Sequence, residues 1–199
     1  MKAAMKTALI DAVTTTMAAP ARRLAHLVRF IHDQTGVSAV EFAILLPMMM
    51  TLFLGSIETT QGIATKRKLE LTAHTLADLS AQYTDITNAD MSNILNAGSA
   101  IMAPYPAANL QAVVSELSIN AQGVASVVWS DTLNGTALSV GQVVSIPASL
   151  AVPNSYLILA QVRYSYNPTY GYVLTGTLTL SDQMYMDPRQ SISVARTAS

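Results

Sequence analysis

Hydrophobic positions change their spacing along the chain, and each spacing predicts a different element. From Ala39 to Ile57 the sequence reads AVEFAILLPMMMTLFLGSI, with Glu41 its one charge. Ile44-Leu45-Leu46, Met48-Met49-Met50 and Leu52-Phe53-Leu54 put apolar side chains on every face of a helix, which suits lipid rather than the one-sided core of a soluble domain. Phe42 to Ile57 alone is short for a bilayer. Extended through Gly62-Ile63-Ala64, the run reaches ~34 Å at a rise of ~1.5 Å per residue, enough for a ~30 Å hydrocarbon core. A membrane helix over 37–64 is predicted. A cleaved secretory signal fits the same stretch only loosely, because the leader is long and lacks a clean A-x-A site.

Past the membrane the helical period continues. Glu58 to Tyr83 contains no proline, and Leu69, Ala73, Leu76, Ala77, Ser80 and Tyr83 form a stripe of period 3.6, with Lys66, Lys68, Glu70 and Asp78 off it. A second helix is predicted at about Ala89 to Met102, capped by Thr87 or Asn88 and ended by Pro104 and Pro106. After Leu110 the period becomes two: Val113, Ser115, Leu117 and Ile119 alternate with Val114, Glu116 and Ser118. Asn120-Ala121-Gln122-Gly123 then turns into Val124 to Trp129, a hairpin pattern. Asn134-Gly135 and Gly141 mark turns, and Pro147 and Pro153 bracket a loop. Tyr156, Ile158, Ala160, Val162, Tyr164 and Tyr166 make one face of a long strand. Asn167 to Gly171 reverses the chain, Tyr172 to Ser181 returns with Leu174, Leu178 and Leu180 on one side, and the tail from Asp187 is polar. The fold class expected is α+β: a long N-terminal helix, transmembrane in its first half, followed by a small antiparallel β-sheet domain, pilin-like in layout. The segments are a basic leader at 1–36, the membrane helix at 37–64, a helix extension with the second helix at 65–109, and a β-rich domain at 110–199.

Composition sharpens this picture. Of 199 residues, 12% are charged and 51% hydrophobic, an apolar bias beyond an ordinary soluble domain. The net charge of −1 offers no electrostatic case for nucleic-acid binding. Cysteine is absent, which removes disulfides, thiolate metal sites and a cysteine nucleophile. Lys2, Lys6, Arg22, Arg23 and Arg29 precede the span and outweigh Asp11 and Asp33; they read as a cytoplasmic tail on anionic lipid headgroups. Met5 and Met17 are alternative starts. Lys66-Arg67-Lys68 follow the span as an outer-leaflet interface anchor. The positive bias puts the N-terminus inside and the bulk of the chain in the periplasm.

Chemistry concentrates at Gly36-Val37-Ser38-Ala39-Val40-Glu41-Phe42. A carboxylate opening a membrane helix is expensive, ~2.5–3.5 kcal/mol at the helix centre and less near an interface. Two readings are open for Glu41. If the peptide bond after Gly36 is cut, Val37 becomes a free ammonium that pairs with the Glu41 carboxylate of a neighbouring subunit; otherwise Glu41 simply rests among headgroups. Pro47 kinks the helix or softens it locally, since membrane helices tolerate an internal proline where neighbours satisfy the freed carbonyl.

These residues resemble the TadE-like segment of Tad (Flp) pilus assembly proteins: Gly36, four residues, Glu41-Phe42, Ala43 and the Leu46-Pro47 step, over roughly Gly36 to Asp78. Val127-Val128-Trp129-Ser130, Tyr164-Ser165-Tyr166 and Met186-Asp187-Pro188-Arg189 are similar in layout, more weakly. The resemblance implies cleavage between Gly36 and Val37 by an aspartic prepilin peptidase, and an assembly role for Glu41. Phe42 stands where the major Flp pilins have tyrosine, which suits a pseudopilin, and the 36-residue leader is longer than most. The partners implied are other Tad pilus subunits, inner-membrane platform proteins, the prepilin peptidase and membrane lipid. No D-x-S-x-S metal-site motif of the larger TadG relatives is present.

No enzyme is expected. His26 and His32 lack the i, i+4 spacing of paired ligands, His74 reads as a plain helix pair with Asp78, and no G-x-S-x-G, H-E-x-x-H or phosphate-loop pattern occurs. Neither a metal nor another cofactor is expected, and Tyr164, Tyr166, Tyr170 and Tyr172 read as sheet packing. The expected function is a minor pseudopilin or membrane-anchored assembly component at the inner membrane. The alternatives are an uncleaved single-pass scaffold and a periplasmic binding module for glycan or peptide. A fragment from about Leu69 onward is expected to be soluble.

Overall fold

The computed structural model describes residues 35–168, 171 and 176–197. The basic leader, with Lys2, Lys6, Arg22, Arg23, Arg29, His26 and His32, lies outside the described residues, as do Tyr170, Tyr172 and Leu174 of the expected hairpin. The chain divides into two units, Met1–Leu52 and Phe53–Ser199.

The first unit holds the opening of α1, a 47-residue helix over Thr35–Ala81 that runs unbroken across Pro47. Residues 36–52 are all exposed. The most apolar 18-residue window of the helix has a mean hydropathy of 2.0, with 0% of it buried. The core helix of a soluble domain buries such a window; here its apolar faces are open all round, as a membrane helix requires. Proline removes a backbone donor, and the Thr51 hydroxyl donates to the Pro47 carbonyl at 2.8 Å, so its polar atom is spent on the helix itself.

In the second unit α1 turns one face inward. Of the stripe that the 3.6 period predicts, Leu69, Ala73, Leu76, Ala77 and Ser80 are buried and Tyr83 is half-buried; Ala81, off that stripe, is buried as well. A short strand β1 (Asp85–Ile86) leads to α2 (Asn88–Ile101). Thr87 caps α2: its hydroxyl accepts from the Asp90 N–H at 3.2 Å, and the Asp90 carboxylate accepts from the Thr87 N–H at 3.1 Å. The Thr87 hydroxyl donating to the Asp90 carboxylate at 2.6 Å, together with the Thr87 N–H, holds that carboxyl below its ordinary range. Where the helices meet, Gly98 leaves room for Leu76 and Thr72; a Cβ there would stand 3.1 Å from a Leu76 methyl.

Strands β2 (Leu110–Ile119), β3 (Ala125–Leu133), β4 (Val143–Val144), β5 (Ser155–Tyr166) and β6 (Leu178–Met186) form an antiparallel sheet in the order β4-β3-β2-β5-β6. The β2–β3 turn is held by the Asn120 side-chain oxygen, which accepts from the Gln122 and Val124 N–H groups at 2.9 Å each. Gly123 supplies the left-handed φ of 76° that the turn needs.

The sheet buries both faces at different ends. Leu110, Ala112, Val114, Ile158, Ala160, Val162, Tyr164 and Tyr166 join α1 and α2 in the main core. Leu117, Ile119, Ala125, Val127, Leu157 and Leu159 form a second cluster. A break in the β2–β3 register explains the change. Glu116 pairs with Trp129 but Leu117 pairs with Val127, leaving Val128 as an extra residue in β3. That bulge puts Val127 and Trp129, which simple alternation would place together, into different clusters. Of the predicted face of Val113, Ser115, Leu117 and Ile119, only Leu117 and Ile119 therefore join a buried apolar cluster, and Val114 belongs to the main core.

The polar tail from Asp187 is held to the domain: β7 (Ala195–Arg196) pairs in parallel with β1, and Val194 is fully buried. Of the predicted return strand, Tyr172 to Ser181, residues 172–175 lie outside the described residues; the strand observed, β6, begins at Leu178 and runs on to Met186. The helices expected in 65–109 and the sheet expected in 110–199 share one core.

Candidate functional site

The residues singled out by sequence lie on the first unit's part of α1. Gly36 has no heavy atom within 4 Å of a Cβ built on it, and Val37 and Phe42 are exposed by 53% and 58%. Glu41 is exposed and follows Val37 by one helical turn, so the two share a face with an axial offset of ~6 Å. The face carries apolar neighbours above Glu41, including Leu45 at 53% exposure. A carboxylate in that setting can be relieved by a cation brought from another chain or by headgroup water.

The other end of the predicted span behaves differently. Glu58, inside the expected 37–64 helix, is fully buried in the second unit. One turn on, a Cβ built on Gly62 would stand 4.0 Å from the Tyr166 ring, and Thr65 is fully buried. Burial in the main core and the nearby Tyr105 and Glu58 raise the Tyr166 hydroxyl above its ordinary value. Residues 58–65 thus contribute to the folded domain. The run Gly36–Ile57, exposed through Phe53 and half-buried at Leu54, Gly55 and Ile57, has 22 residues, or ~33 Å at the helical rise, long enough to span a bilayer without them. Ser56, Thr59 and Thr60 donate their hydroxyls to the helix carbonyls of Phe53, Gly55 and Ser56 at 2.7–2.8 Å, which lowers the cost of polar groups near lipid.

The Lys66-Arg67-Lys68 cluster has partners within its own domain. Lys66 Nζ donates to the Ser181 carbonyl at 2.9 Å and pairs with Asp182 at 3.0 Å. Lys68 Nζ donates to the carbonyls of Ile101, the last residue of α2, and of Ala103 just past it, where a cation is favoured. Arg67 is exposed. The anchor expected from sequence is, for these two lysines, a clasp between α1, α2 and β6. His74 is exposed. Asp78, expected to pair with it, instead accepts from the Gln82 amide at 2.9 Å and forms an ion pair with Arg189.

Residues 36–78 match the family model described as TadE-like protein. The segment is TadE-like. No curated protein and no solved structure matches the chain. The TadE-like segment covers the whole exposed run of α1 and continues through Lys66, Lys68 and Leu76 into the domain core. It includes every residue that the sequence marked for processing, assembly and helix bending: Gly36, Val37, Glu41, Phe42 and Pro47.

Sequence reasoning missed several polar residues that the fold depends on. Glu116 sits 1% exposed in the sheet, on the alternation that reads as a solvent face. Arg196, in the polar tail, forms a two-pronged bond to Asp131, with Nε–Oδ2 at 2.8 Å and Nη2–Oδ1 at 3.2 Å; that bond raises the guanidinium above its ordinary value. Tyr164 and Tyr166 are 2% and 4% exposed, and Tyr164 meets Tyr105 edge-on at 6.3 Å, as sheet packing requires.

Proposed function

We propose that the protein is a membrane-anchored component of a Tad-type pilus system, acting as a minor pseudopilin through helix packing and protein contacts rather than through chemistry of its own. The observation that supports this reading is the TadE-like segment lying on an exposed apolar helix, with one carboxylate, Glu41, a single turn from Val37. Packed against lipid alone, that carboxylate is a cost with no return. Packed against a neighbour whose Val37 carries a new α-ammonium, it fixes the register of one helix on the next. Prepilin peptidase supplies that ammonium by cutting after Gly36, and the leader stays on the cytoplasmic side. Other pilus subunits and platform proteins are the partners, and the domain from Phe53 onward stands in the periplasm.

N-terminal sequencing of protein extracted from membranes tests the processing step. A chain beginning at Val37 supports the pseudopilin. A chain beginning at Met1, Met5 or Met17 leaves the uncleaved single-pass scaffold. Glu41→Ala should leave insertion intact and lower the amount of protein recovered in the assembled fibre; an unchanged yield contradicts the pairing.

A further inference from the structure

Away from the TadE-like segment, the open face of the sheet carries a trough of about 630 Å³. Its floor is β2 and β5, where Gln111 stands opposite Arg163 and Val113 opposite Gln161. One wall is the Asn134–Gln142 loop, with Thr136, Leu138 and Ser139. A smaller hollow of about 240 Å³ over β5 and β6 shares Gln161 and Arg163 and adds Ser181 and Gln183. Arg163 thus stands where the two hollows meet.

The lining is dominated by amides and hydroxyls, each able to donate and accept, and Arg163 supplies its cation. No carboxylate lines the larger hollow; Asp182, at the smaller one, is paired with Lys66. The ion pairs of the described residues engage Lys66, Arg189 and Arg196 and leave the exposed Arg163 guanidinium out. A planar fork of that kind matches a carboxylate with two parallel hydrogen bonds. The amides beside it suit a ligand rich in hydroxyls.

We infer that this trough binds a carboxylate-bearing oligosaccharide, a short uronic-acid chain, with one carboxylate on Arg163 and ring hydroxyls on Gln111, Gln161 and Gln183. A neutral sugar is disfavoured because no aromatic ring lines either hollow to stack on it. An extended peptide is disfavoured because peptides recognised by a sheet add to its edge through backbone hydrogen bonds. Here the floor strands β2 and β5 are interior, with their ladders complete on both sides. Two adjoining hollows suit more than one sugar unit.

The test is calorimetric titration of the full chain in detergent micelles with trigalacturonate, with neutral galactotriose and with a triglutamate peptide. The expected result is saturable binding of trigalacturonate that weakens as salt rises. Arg163→Gln should weaken it by about tenfold or more, the loss of one charged hydrogen-bonded contact, with the melting temperature unchanged because Arg163 holds no other element. Gln161→Ala should weaken it less. No binding of trigalacturonate, equal binding of galactotriose, binding of triglutamate in its place, or indifference to Arg163→Gln overturns the inference. Any of those results leaves the pilus reading standing, since the trough uses no residue of segment 36–78.

Discussion

The backbone N–H of Val194 donates to the carboxylate of Glu116 across 2.6 Å, 78 residues apart in sequence. The Val194 carbonyl in turn accepts from the Trp129 indole at 2.7 Å. Both backbone polar groups of one buried residue, Val194, are therefore satisfied by side chains of the sheet, and that is what draws the C-terminal tail inward. The Val128 bulge makes it possible, because it turns Trp129 to the main core beside Val194.

Burial raises the Glu116 carboxyl above its ordinary value of 4.5, against the pull of the Val194 and Trp129 hydrogen bonds. The sign follows from linkage: the folded chain keeps this proton to a higher pH than the unfolded chain does. Stability from this group therefore falls as pH rises from the ordinary glutamate value through the raised one. Glu116→Gln keeps an acceptor for Val194 and removes the charge. Thermal melts of wild type and variant should differ most at neutral pH, with the variant higher, and converge as pH falls toward 4.5. Parallel melting curves across that range would speak against a buried, charge-destabilised carboxyl.

Arg196 closes the same end of the domain. Besides Asp131 it donates to the Ile86 carbonyl at 3.1 Å and to the Asn88 side chain at 2.8 Å, joining β7, β3 and the start of α2. Arg196→Ala should cost about 2–3 kcal/mol, the range for partly buried charged hydrogen bonds. Arg196→Lys should recover only part of it, because an ammonium cannot make the two-pronged bond. Urea unfolding of the domain is the check; a midpoint unmoved by Arg196→Ala would mean that the tail is held by packing alone.

Gly98 sets the distance between the helices. A valine there has no space beside Leu76 and Thr72, whose methyl carbons already lie 3.1 and 3.3 Å from a Cβ. Gly98→Val should destabilise by about 1–3 kcal/mol as the helices are pushed apart, seen as a lower thermal midpoint.

The clasp made by Lys66 and Lys68 gives a prediction about truncation. A fragment beginning at Leu69 loses both lysines, Thr65 and Glu58, whereas one beginning at Phe53 keeps them. Both should be soluble, and the longer should melt higher. Equal melting temperatures would show that α1 before Leu69 adds nothing to the domain.

Much of this fold is legible in the sequence because its signals are periodic and local. The apolar run on every face, the Leu69-to-Ser80 stripe, the Thr87 cap and the Asn120–Gly123 turn each need only a few neighbouring residues to declare themselves. The candidate segment is legible for the same reason: Gly36, Glu41 and Pro47 stand in a short ordered motif. What escaped depends on long-range pairing. The Val128 bulge breaks alternation without any glycine or proline to mark it. Glu116 and Arg196 look like solvent-facing charges until the tail meets the sheet, and Lys66 and Lys68 look like an interface anchor until α2 and β6 come beside them. Glu58 falls inside the predicted span because that span is extended to Ala64 to reach bilayer length, and length alone does not show that the last turns belong to the domain core.

The central claim is that α1 crosses a bilayer and holds the sheet domain outside it. The chain has no cysteine, so a single one reports cleanly. Val140, 76% exposed on the domain, is replaced by cysteine and treated with a membrane-impermeant maleimide on intact spheroplasts. Labelling before lysis, of protein that stays in the membrane fraction after a carbonate wash, is the predicted result. Labelling only after lysis, or release of the protein by carbonate, would contradict it.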